Sequence, residues 1–213
     1  PDATRRFAVA AECLARLRAG GKGIVILSNS GRREADNLRL MDSMGFDTSL
    51  IERFVSAGED ARDALERRTH PFHRALGRRC YAITRAGDRS LLEDIGLEFV
   101  EAIADADFIA VVGLDSPRRN VIDYEPELQA GIARNLSLVC ANPDLARFTP
   151  TGLIEAAGLL AQRYEALGGR VYYHGKPHPP IYRSCLSAHG CAPGTILAIG
   201  DSVGHDVLGG SRG

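Results

Sequence analysis

Tryptophan is missing from this sequence and aromatic residues make up only 6% of it, which leaves no platform on which single-stranded bases could stack. An excess of one charge is missing too. With 26 basic and 27 acidic side chains the net charge is −1, so neither the footprint of a nucleic-acid binder nor a polybasic membrane patch is present. No apolar stretch approaches the roughly 20 residues that a spanning helix requires, and no signal peptide is visible. The five cysteines, Cys13, Cys80, Cys140, Cys185 and Cys191, are odd in number and scattered without a C-x-x-C pair. That argues against a disulfide framework or a zinc knuckle. Reduced thiols, a cytoplasmic location and small-molecule partners are expected, with no nucleic acid and no membrane.

What the chain does have is 45% hydrophobic content over 213 residues, enough for one α/β core and a modest second module. Phe7, Ala10, Leu14 and Leu17 recur at helical spacing between Arg5 and Ala19, and Gly20-Gly21 closes that segment. A strand over Gly23 to Gly31 leads to a helix from about Arg32 to Met44, ended by Gly45. A short element near Arg53 to Ser56 and a helix from Glu59 to about Arg68 follow. Pro71 disfavours helix at His70, and a second module is expected to begin there. Its strands are read near Tyr81 to Thr84, Phe108 to Gly113 and Leu136 to Ala141, and its helices near Ser90 to Ile95 and Pro126 to Asn135. A helix from about Gly152 to Leu167, ended by Gly168-Gly169, is expected to return the chain to a core strand at Val171. Such alternation implies a parallel sheet with crossover helices.

Three junctions carry chemistry. The apolar run Ile196-Leu197-Ala198-Ile199-Gly200 reads as a buried parallel strand with Asp201 at its carboxyl end, where open α/β sheets place ligands, and Asp206 follows five residues on. Two acids there point to a metal. Gly175-Lys176-Pro177, between the run Arg170 to Tyr173 and a helical stretch from Pro180 to His189, can aim an ammonium at a phosphate. Ser28-Asn29-Ser30-Gly31, at the end of the first strand, offers hydroxyls and backbone N–H groups to an anion.

In chain order these pieces resemble motifs II, III and IV of the haloacid dehalogenase superfamily of phosphatases. The runs Ser28 to Arg33, Cys140-Ala141-Asn142-Pro143-Asp144 and Gly175 to Tyr182 narrow the resemblance to the class IIA branch, and it covers essentially the whole chain. It implies a Rossmann-like core, a parallel sheet with helices on both faces, formed by residues 1–69 and 171–213. An α/β cap of the C2 type, residues 70–170, interrupts it. It also implies Mg²⁺-dependent hydrolysis of small phosphate monoesters, sugar phosphates or nucleotides, through an aspartyl-phosphate. In that chemistry Asp201 holds Mg²⁺ and Asp206 the second shell or a metal-bound water. Lys176 neutralises the nucleophile and the phosphoryl oxygens, and Ser28 with the Asn29 N–H binds the phosphoryl group. Ser30 is a further phosphate-binding candidate, and Asn142 and Asp144 are candidates facing the catalytic mouth. The family's motif I, Asp-x-Asp after an N-terminal strand, has no match: Asp2 follows no strand and position 4 is Thr4. The chain is therefore expected to be truncated at both ends and inactive by itself.

Each residue also has a plainer use. Asp201 and Asp206 fit a helix cap and a first-turn acid, Lys176 a surface lysine, and Ser28 and Ser30 ordinary caps. Asn142 and Asp144 fit an Asx turn before Pro143. Arg32 and Arg33 at a helix start oppose the dipole and ask for a local anion, although solvated arginines are common. His174 and His178 are spaced i, i+4, but Pro177 and Pro179 exclude the helix that a zinc pair would need. The reading from another class is a non-catalytic module that senses a phosphorylated metabolite. A phosphotransferase on the same scaffold is a further alternative, and dehalogenation is disfavoured by the acidic pair.

Overall fold

The computed structural model describes residues 7–190 and 192–210. The expected helix start at Arg5, together with Asp2, Thr4 and Cys191, lies outside the described residues. Helix α1 (Ala8–Ala19) leads to strand β1 (Val25–Ser28). After α2 (Glu34–Ser43), strand β2 (Arg53–Ser56) pairs with β1 in parallel, Ser28 opposite Ser56. Helix α3 (Ala57–Arg67) starts at once, because the Ser56 hydroxyl accepts from the Glu59 amide at 3.1 Å and caps it. The same hydroxyl donates to the Arg32 carbonyl at 2.7 Å, so the helix cap also anchors the loop that leaves β1.

A short helix α4 (Pro71–Arg74) carries the chain to a second sheet. Its strands are β3 (Arg79–Ile83), β4 (Glu98–Phe99), β5 (Phe108–Val111), β6 (Ser137–Cys140) and β9 (Arg170–Tyr173). They lie in the order β4-β3-β5-β6-β9, all parallel. Helix α5 (Glu125–Ala133) separates β5 from β6. An antiparallel hairpin, β7 (Ala146–Thr149) with β8 (Gly152–Glu155), and helix α6 (Ala157–Ala166) separate β6 from β9. Helix α7 (Pro179–His189) and a short α8 (Leu208–Gly210) complete the described chain.

Alternation along β5 and β6 sends side chains to two cores. Ile109, Val111, Leu138 and Cys140 pack with Leu128 of α5 and with Leu160 and Tyr164 of α6. Phe108, Ala110 and Val139 pack with Ala61 and Leu65 of α3. Helix α3 therefore touches both layers: it follows directly from β2 and buries its apolar stripe on the five-stranded sheet.

Three of the expected elements take another form, and the strand at Val171 forms with β6 as its neighbour. Ser90 to Ile95 forms turns rather than a helix, since Asp94 and Gly96 both take positive φ (60° and 73°), and two left-handed residues end any helix. Gly152 to Glu155 is the second strand of a hairpin, turned at Pro150-Thr151-Gly152 with Gly152 at φ 125°, so α6 begins only at Ala157. Val171 lies in β9, paired with β6, and so shares a sheet with the segment expected to form the inserted cap. Finally, Ile196 to Gly200 is neither a strand nor buried: Leu197 is 81% and Ile199 80% exposed. An extended run becomes a strand only beside a partner, and among the described residues it has none.

Candidate functional site

The loop after β1 and the segment after β9 meet through Asn29. Its amide is buried; Oδ1 accepts from the Lys176 N–H at 2.6 Å and Nδ2 donates to the Lys176 carbonyl at 3.0 Å. Both backbone groups of the lysine are thus held by one side chain. The Asn29 Nδ2 also donates to Asp144 Oδ1 at 2.8 Å, which draws the Asn142–Asp144 turn into the same cluster. Gly175 is the joint between β9 and Lys176. Its φ is 105°, and a Cβ there would lie 2.7 to 2.8 Å from Asn29 Oδ1, Ala57 Cβ and Pro143 Cδ, so only glycine fits.

Lys176 Nζ donates to Asp206 Oδ1 at 2.6 Å, and both side chains are largely buried. Burial by itself would raise the Asp206 carboxyl, but the hydrogen bonds from Lys176 and the Ser202 amide outweigh it and hold the group below its ordinary value. An ammonium has three donors, and among the described residues Asp206 takes one of those on Lys176. Ser28 Oγ accepts from the Ser30 N–H at 3.1 Å, and among the described residues its own proton meets no acceptor. Ser30 Oγ accepts from the Arg32 N–H at 3.3 Å, and the Ser30 carbonyl from the Gly58 N–H at 3.0 Å. The loop is pressed on the start of α3 so closely that a Cβ on Gly58 would fall 2.5 Å from Gly31.

The remaining expected residues are placed less centrally. Asn142 Oδ1 accepts from the Asp144 N–H at 3.0 Å, the Asx turn of the plainer reading, while Asp144 also lies 4.0 Å from His205 Nδ1. Asp201 is exposed, next in sequence to Gly200, which packs on the Asp206 carboxylate. Among the described residues no group of three or more His, Cys, Asp or Glu side chains converges as a ready-made metal cage. An exposed carboxylate with open coordination positions nevertheless suits a hard, water-rich divalent ion, which commonly takes one or two protein carboxylates. Arg33 pairs with Glu59 at 3.4 Å, and Arg32 and Arg33 line a pocket of about 380 Å³ with Gly31, Asp88, Ser90 and Val112. That pocket opens between the β1 loop and the five-stranded sheet. His174 and His178 do not meet: His178 stacks on Tyr173, ring centroids 4.8 Å apart. The side-chain role of Asn29 was not foreseen; the signal for it was an amide beside a phosphate-type loop, where a backbone clasp is as natural as a ligand contact.

Residues 2–98 match the family model described as haloacid dehalogenase-like hydrolase, and residues 173–213 match a second described as HAD-hydrolase-like. Among solved structures, a haloacid dehalogenase-like hydrolase from Brucella suis 1330 superposes with a TM-score of 0.87 at 32% identity, covering 99% of this chain and 77% of that one. A p-nitrophenyl phosphatase from Archaeoglobus fulgidus superposes at 0.74 with 22% identity, covering 97% and 76%, a likeness of fold. Dihydroxyacetone phosphatase from Corynebacterium glutamicum (strain R) is 37% identical over 73 residues, which is 34% of this chain and spans 26% of that relative's length.

Proposed function

The chain belongs to the haloacid dehalogenase-like hydrolases, and from that premise we propose that it forms the phosphate-handling part of a Mg²⁺-dependent phosphatase for small phosphate monoesters. The observation that carries this is the Lys176–Asp206 pair, with the lysine backbone clamped by Asn29 from the loop that follows Ser28. The Lys176 ammonium and the Ser28 hydroxyl would together donate to one anion, a set suited to dispersing the charge of a transferring phosphoryl group. Asp206 orients the ammonium and gives up part of that interaction as phosphate enters.

A divalent ion held at Asp201 supplies positive charge that lets an anionic nucleophile approach a phosphate dianion. The nucleophile itself is not among the matched motifs, because no Asp-x-Asp follows an N-terminal strand in these 213 residues. This chain alone is therefore read as releasing no phosphate. The five-stranded sheet, continuing through Tyr173, is read as the cap, and the pocket at Arg32 and Arg33 as the place for a leaving group. A cytoplasmic location belongs to the same reading. The name of the Corynebacterium relative makes a three-carbon phosphate the first substrate to try.

The test is phosphate release by a parent protein carrying an N-terminal Asp-x-Asp strand, with Mg²⁺ and with chelator, beside its Asp201→Asn variant. Turnover that needs Mg²⁺ and is lost in the variant is expected. Full turnover by Asp201→Asn would sink the metal assignment, and an active parent with no requirement for Lys176 would sink the site.

A further inference from the structure

Two imidazoles, His73 and His174, each 1% exposed, face one another Nε2 to Nε2 at 3.1 Å. They sit on the two passages of the chain between the layers: His73 in α4, between α3 and β3, and His174 between β9 and Lys176. His174 Nδ1 lies 2.6 Å from Asp60 Oδ2, and Asp60 Oδ1 accepts from the Ser184 hydroxyl of α7 at 2.9 Å. The other ring nitrogen of His73, Nδ1, is buried with no partner. Around the pair stand His70 and Phe72 of α4, Tyr172 of β9 with its ring centroid 4.5 Å from that of His73, and Arg68 at the end of α3.

Proton positions follow from these partners. An Asp60 carboxylate can only accept, so the proton on that side is on His174 Nδ1. A neutral His174 then offers a lone pair at Nε2, and His73 must donate from its own Nε2. That leaves His73 Nδ1 bare, which suits its lack of a partner: a buried N–H without an acceptor, carrying charge, costs far more than an idle lone pair. The reverse order, with a cationic His174 donating to His73, would put a proton on that partnerless nitrogen. One direction of hydrogen bonding therefore runs from His73 through His174 to Asp60. His174 is followed directly by Gly175, which has no steric slack, and then by Lys176, whose N–H and carbonyl are both held by Asn29.

We propose that Asp60, His174 and His73 are positioning residues for Lys176, joined in a one-way hydrogen-bond chain that ties the two interlayer passages together and is destabilised when His73 takes up a proton at Nδ1, where it has no acceptor. The inference rests on the phosphatase reading only for what Lys176 does, since the geometry of the chain of bonds is testable without turnover.

The experiment is ¹⁵N NMR on the 213-residue chain, reading the tautomers of both rings at neutral pH and then the Gly175 and Lys176 amides as the pH is lowered. Expected are an Nε2–H tautomer at His73, an Nδ1–H tautomer at His174, and movement of both amides along the titration curve of His73. In His73→Phe, which keeps an aromatic ring in the nest, that component of the amide titration should vanish. In Asp60→Leu, where no acceptor faces Nδ1, the His174 ring should lose its single tautomer. A His73 ring with Nδ1–H, or amides that keep the same curve in His73→Phe, would overturn the proposal. Should His73→Phe fail to fold, unchanged tautomers in Asp60→Leu, which removes the acceptor, would overturn it equally. Absence of phosphate release by the parent protein would count against the phosphatase reading and leave these resonances where they are.

Discussion

Lys176 and Asp206 depend on each other in a way that motif position alone does not reveal. With the ammonium removed, as in Lys176→Met, the carboxylate keeps its burial and, among the described residues, the Ser202 amide as its remaining hydrogen-bond donor. Removing one partner of a buried pair costs about 3–5 kcal/mol, and urea unfolding at neutral pH should show a loss of that order. An unchanged midpoint would mean that water already reaches the pair. His73 sets a pH dependence of its own. Burial and its cationic and imidazole neighbours lower it from 6.5 to about 4, so the unfolded chain binds the extra proton first. The stability it contributes is complete above pH 6.5 and falls as the pH drops from 6.5 towards 4, by about 3 kcal/mol in all. The difference in unfolding free energy between the chain and His73→Phe should shrink over that window. Ser28, Lys176 and Asp206 were legible as individual motif residues, because their chemistry is local. Asp60, His73 and His174 were not: the members of that cluster are 101 and 114 residues apart in sequence, and each alone resembles an ordinary helix or loop residue.

At the scale of elements, the turn Asn142 to Asp144 is held by the first turn of α6. The Gly158 N–H donates to the Asp144 carbonyl at 2.9 Å, and a Cβ on Gly158 would fall 2.1 Å from the Pro143 carbonyl oxygen. Backbone cannot yield as a flexible side chain does, so Gly158→Ala should destabilise by about 1–3 kcal/mol or more. It should also displace Asp144 from Asn29. Gly194→Ala, where the space is open, is the control and should stay within about 0.5 kcal/mol. Thermal unfolding of the two variants checks both. If they behave alike, α6 does not anchor the turn. The helices α2, α3, α5 and α7 and the strands β3, β5 and β6 were legible from periodicity and punctuation, since their apolar faces repeat. The hairpin β7–β8 was not, because Gly152 to Glu155 runs straight into the apolar pattern of α6, and the Pro150-Thr151-Gly152 turn between the two strands is its one punctuation. Ile196 to Ile199 looked like a strand for the reason that apolar runs usually do, yet composition does not supply the neighbour that a strand needs.

On the scale of the whole molecule, the two sheets differ in how well they are finished. The five-stranded sheet is covered on both faces, by α5 and α6 on one side and by α3 on the other. The β1–β2 sheet has two strands among the described residues, and Val25 and Leu27 are only partly buried there, packed on Ile181 and Tyr182 of α7. Near the end of the described chain Ile196, Leu197, Ile199, Val203 and Val207 are all exposed. Unpaired strand edges and clustered exposed apolar side chains both favour association of like chains. This chain should therefore self-associate as its concentration rises, through the segment from Ile196 to Val207 rather than through the charged faces. Salt gives the sign check: contacts between charged faces would weaken as ionic strength rises, whereas apolar contacts would hold or strengthen. Sedimentation velocity over a concentration series should show a mass average that climbs, that does not fall with added salt, and that is lowered by Leu197→Lys with Ile199→Lys. A monomer at every concentration would mean that this apolar segment is covered in solution by a fold-back absent here. A salt-sensitive oligomer untouched by the two lysines would place the contact on another face.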